Sequence, residues 1–128
     1  MTTRDQSAGL IDVTEATYLA AQARFHRLKA EEAGLRQQLA ELNDARNRLQ
    51  IDAAHGSAPA AARWLSWIAS RQEDLNTALA RVRAQEARQM QVLRRAFGRK
   101  EAIRAVLRRL EADRAQMRAR RSTFSGDS

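Results

Sequence analysis

The stretch LSWIASRQEDLNTALARVRAQEARQMQVLRRAFGRKEAIRAVLRRLEADRAQM, residues 65–117, decides the fold. Wound as one helix, it sets Ile68, Leu75, Val82, Ala96, Ile103, Leu110 and Met117 on one seam, and Leu65, Leu79, Leu93 and Leu107 on another. The two seams interleave at steps of four and three, the a/d pattern of a helix that packs along its length against a second helix. Only Gly98 interrupts it, at a cost of about 1 kcal/mol relative to Ala. A stripe of this length has to be covered, either by the rest of the chain or by a partner.

Upstream lies a matching stripe. Tyr18, Phe25 and Leu39 share one heptad position, and Ala21, Leu28, Leu35, Leu42 and Leu49 the other, with Glu32 and Arg46 as polar intruders. Asp12 followed by Glu15 has the form of a capping box and predicts a helix start near Val13. Between the stripes, Ala53-Ala54-His55-Gly56-Ser57-Ala58-Pro59 holds the chain's only proline together with a glycine and a serine, the composition of a turn. The second helix is expected from about Ala60 to about Arg120. The chain thus reads as a flexible leader over 1–12, a helical hairpin over 13–121 with its turn at about 53–59, and a disordered tail over 122–128.

A short turn makes the helices antiparallel neighbours, so the fold class is all-α, an antiparallel two-helix coiled-coil hairpin with a longer second helix. Setting Leu49 across from Leu65 brings Leu39 to Leu75, Leu35 to Leu79, Ala21 to Leu93 and Tyr18 to Ala96. Two seams read separately agree in almost every layer. The layers Leu28/Glu86 and Phe25/Gln89 are mixed and read as a solvated gap in a narrow interface. The longer helix should overhang by up to about 30 Å at a rise of 1.5 Å per residue, leaving Val106, Leu107, Leu110 and Met117 without cover.

Composition agrees with helix: 44% of the 128 residues are apolar, much of that alanine, and six are aromatic. There is no cysteine, hence no disulfide framework and no thiolate metal site. No apolar run approaches a membrane span and no basic-then-apolar leader opens the sequence, so the expected compartment is the cytoplasm. The charge is lopsided. Arg94 to Arg121 holds eleven Arg and Lys against Glu101, Glu111 and Asp113, which accounts for the whole net charge of +8. An acidic partner is expected at that end.

Catalytic chemistry finds no foothold. His26 and His55 are the only histidines and neither sits at a metal-binding spacing. Glu31-Glu32 and Glu73-Asp74 are sequence neighbours, which point in different directions on a helix. Gly98 among basic residues lacks the second glycine and the hydroxyl of a phosphate-binding loop. The expectation is no enzyme, no cofactor, no metal and no small-molecule substrate. Trp64 and Trp67 flank the seam beside the turn, either as a cap on the core there or as a partner-facing hot spot.

The basic end allows a protein partner, a nucleic acid or a membrane surface. Arginines can track phosphates, but the stretch brings no stacking aromatics and no groove-reading motif, and its heptad runs straight through the basic zone. Its apolar face, Ile103, Val106, Leu107 and Leu110, is narrow for lipid. A protein partner ranks first and nucleic acid second.

In its two-helix layout, the turn at Ala53 to Pro59, the Arg63-Trp64 pair and the run Leu75-Asn76-Thr77-Ala78-Leu79, the chain resembles the flagellar export component FliJ and its injectisome counterparts of the YscO type. The resemblance implies a cytoplasmic adaptor or stalk of a flagellar or type III protein export apparatus. It would bind a ring-forming export ATPase and the export gate, touch export chaperones, and meet the membrane only through partners. By that likeness Leu42, Trp64, Trp67, Ile68, Leu75 and Leu79 would face the gate, and Arg104, Leu107, Arg108, Arg109, Leu110 and Arg114 the ATPase. The alternatives are an arginine-rich helical nucleic-acid-binding protein and a homo-oligomeric structural coiled coil.

Overall fold

The chain is a hairpin of two helices, α1 over Thr3–His55 and α2 over Ala58–Gly126, in a computed structural model that describes residues 3–55 and 58–126. The side chains of residues 3, 53–55 and 58 are left aside, and part of the expected turn, Gly56 and Ser57, falls outside the described residues. Pro59 stands second in α2, where its missing N–H costs no intrahelical bond.

Both helices are longer than their sequence signals. Helix α1 opens at Thr3, ten residues before Val13, with Asp5 in its first turn, where a carboxylate favours the helix dipole. The Thr14 hydroxyl donates to the carbonyls of Leu10 and Ile11 at 3.0 Å, and that of Thr17 to Val13 at 2.8 Å, so these threonines satisfy themselves on helical backbone. The capping box does not form its expected role: the Glu15 carboxylate pairs with Arg104 across the hairpin. At the other end α2 runs to Gly126, taking in 122–126, where the Thr123 hydroxyl donates back to the Ala119 carbonyl at 2.9 Å.

The chain divides into two units, Met1–Ala23 with Gln91–Ser128, and Arg24–Met90. In the second, Ile68, Leu75, Leu79 and Val82 are buried on α2, and Leu35, Leu39, Leu42 and Leu49 are half-buried on α1. Each fully buried aliphatic side chain contributes about 2 kcal/mol. In the first unit Ala21 and Ala96 are buried, and the Tyr18 and Phe97 rings meet at 5.8 Å. Tyr18 is expected across from Ala96; its ring meets that of Phe97, the next residue along α2.

Among the described residues no helix is long and apolar enough to cross a membrane. Nor does any group of three or more His, Cys, Asp and Glu among them offer a metal site.

Candidate functional site

In the unit formed by the two chain ends, Tyr18 stands on α1 as a post against which α2 is fixed. Lys100 lays its ammonium 4.5 Å from the centre of the Tyr18 ring and 5.9 Å from that of Phe97, and one turn on Arg104 takes the Glu15 carboxylate. Past this anchor the helices frame an open groove of about 800 Å³. Its floor is apolar, from Ala8 and Ile11 on α1 and Leu107, Leu110 and Ala115 on α2. Its rims carry Arg4, Arg104, Arg108, Arg114 and Arg118 against a single acid, Glu111. An arginine-rich α2 wall facing Arg4 across an apolar floor suits a ligand that is apolar on one face and anionic on its edges.

Five of the six residues expected on the ATPase side, Arg104, Leu107, Arg108, Leu110 and Arg114, line this groove, and Arg109 does not. The expectation that Leu107 lacks cover is corrected, because α1 reaches back far enough to bring Ile11 to the same groove and leave Leu107 half-buried. The groove residues Arg4 and Ala8 went unnoticed in the sequence, and Arg118 was read only as part of the basic end. The first two lie in a segment read as a leader, though Ile11 had marked itself as an apolar anchor.

Beyond the groove the seam stays bare. Leu110, Met117 and Phe124 follow one another at heptad spacing with 42%, 53% and 84% of their surface exposed. Shallow hollows beside them are edged by Arg114, Arg118 and Arg121, and then by Arg120.

The residues expected to face the gate separate into two kinds. Ile68, Leu75 and Leu79 are buried in the helix pair and cannot touch a partner, so they are core; Leu42 is half-buried. Seam periodicity marks a residue that packs without telling what it packs on. Trp64 and Trp67 are 56% and 54% exposed, their rings edge to face at 5.8 Å, with Ile51 also exposed. They pack on each other.

The mixed layer is no solvated gap. Glu86 is buried, its Oε2 takes the Lys29 ammonium at 3.1 Å, and its Oε1 has no hydrogen-bond donor. The same ammonium lies 3.7 Å from Glu32, which also holds Arg36 at 3.0 Å. The Glu32 carboxyl is held below the usual glutamate range, first by its pairing with the Glu86 carboxyl and then by the charges of Lys29 and Arg36, against the opposing effect of its own desolvation. The acidic pair that forms in this chain thus spans the two helices.

Compared with protein-family models, curated proteins and solved structures, the chain matches none.

Proposed function

We propose that the protein is a non-enzymatic coiled-coil adaptor of a flagellar or type III protein export apparatus, working in the cytoplasm. Its arginine-rimmed groove engages a ring-forming export ATPase, and the exposed Trp64 and Trp67 engage the export gate. The observation that carries the reading is the groove itself. Arginines from both helices converge on an apolar floor at the one place where the chain concentrates its charge. That arrangement suits capture of a protein surface.

The test is capture of a ring-forming export ATPase by the full-length chain, from nuclease-treated extract at moderate salt. Reversing Arg108 and Arg114 to Glu should abolish capture. Arg109→Glu, which lies off the groove, should leave it intact. Arg104 is spared because it holds Glu15. Retention of nucleic acid alone, with a steep loss of binding as salt rises, would replace the adaptor with a phosphate-binding protein.

A further inference from the structure

We propose that the groove and the bare seam beyond it receive a single acidic amphipathic helix of a partner protein, laid along α2 from about Leu107 to Phe124. This deepens the adaptor reading and rests on it for the nature of the site.

Continuity is the first argument. Ile103, Leu110, Met117 and Phe124 prolong the seam that α2 presents to α1, yet exposure climbs from half-buried Ile103 to 84% at Phe124 as α1 runs out at Thr3. A seam at heptad spacing offers knobs to another helix and to no other element. A helix continuing where α1 stops would complete the layers that α1 begins.

Charge is the second. Arg108, Arg114, Arg118 and Arg121 flank these knobs, with Arg4 on the facing wall, whereas the acids nearby are Glu111 and Asp113. A second copy of this chain would bring its own excess of positive charge against this one, and like charges across an interface are unfavourable. Glutamates beside the leucines of the incoming helix would meet the arginines on both sides.

A phosphate backbone would use the arginines and leave Leu110, Met117 and Ile11 without a role. Along the site from Leu107 to Phe124 the aromatic ring open to a base is that of Phe124 alone among the described residues, too few for a strand whose successive bases stack. The volume, about 800 Å³, has room for several side chains where one inorganic anion would rattle.

The experiment uses the full-length chain and a fluorescent designed peptide of about three heptads, with Leu at a and d and Glu at the flanking positions. Its control has the same composition with the leucines scrambled off the heptad. Anisotropy should show binding of the heptad peptide at least about tenfold tighter than of the control, a step of about 1.4 kcal/mol. The Met117→Glu and Phe124→Glu double variant, at exposed positions where helicity should hold, should lose that preference, as should Arg114→Glu with Arg118→Glu. Equal binding of both peptides, or no binding, overturns the proposal, as does unchanged affinity in both double variants. So does a concentration-dependent dimer dispersed by Met117→Glu, or preferential capture of anionic vesicles that the peptide fails to displace. Because no export component enters this assay, its failure leaves the ATPase capture to stand or fall separately.

Discussion

Lys29 on α1 and Glu86 on α2 are joined across the helix pair at 3.1 Å, with Glu86 buried and Lys29 half in solvent. One cation therefore serves two carboxylates, Glu86 and Glu32, while one oxygen of Glu86 goes without a donor. A charge kept in a seam with an unsatisfied atom lowers stability relative to an apolar residue of similar size. Glu86→Leu should accordingly raise the stability of the hairpin by about 1 to 2 kcal/mol. Lys29→Met should lower it by about 1 kcal/mol, a figure kept small because the ammonium is half exposed. Chemical denaturation of both variants checks this, and a destabilised Glu86→Leu would show the cluster to be worth more than the packing it displaces.

The depressed Glu32 carboxyl gives the hairpin an acid dependence with a definite sign. Its pKa in the folded chain lies below its unfolded value, so its contribution is fully present above the ordinary glutamate range and fades as the pH falls through the folded value. Thermal melts of wild type and Glu32→Gln, followed from neutral pH into the acid range, should converge as the pH drops. Parallel curves over the whole range would remove Glu32 from the account.

Gly34 and Gly98 sit in helix interiors where an added methyl group would meet nothing within 4 Å. Each alanine substitution should stabilise its helix by about 1 kcal/mol, since glycine there gives up backbone freedom without compensation. The two positions lie in different units, so their effects should add. A loss of stability at either site would mean that glycine serves a close approach to something outside the chain.

Leu79→Asp is the severe case. Leu79 is 8% exposed among Leu75, Val82 and Ile68 in the buried row of α2, where a carboxylate would be stripped of water on an apolar face. A loss of roughly 3 kcal/mol or more is expected, enough to unfold a narrow helix pair. Circular dichroism decides it: wild-type helicity and melting would place Leu79 outside the core.

How far the molecule was legible depends on the kind of signal. Helix and hairpin were readable because packing on a helix needs spacing, and Leu65 to Met117 display it over many turns. The first ten residues of α1 hid because Thr, Arg, Asp, Gln and Ser carry no seam, and their helix is helped by backbone contacts of Thr14 and by Glu15, whose partner Arg104 is 89 positions away. No local rule reveals that pairing. Phe124 could have been foreseen, since it stands seven residues after Met117, but the polar residues around it argued for a tail. The heptad separates buried Ile68, on the seam, from Trp64, which flanks it, but spacing does not tell how far a flanking ring is covered, and Trp64 is 56% exposed.

The bare end of α2 carries Arg114, Arg118, Arg120 and Arg121 on an uncovered helix, and that row doubles as a ruler. Each arginine is a cleavage point for trypsin, and a helix with few tertiary contacts opens readily to a protease. The mass of the fragment surviving brief digestion therefore marks how far along the helix a bound companion shields it, without any need to know the companion's name.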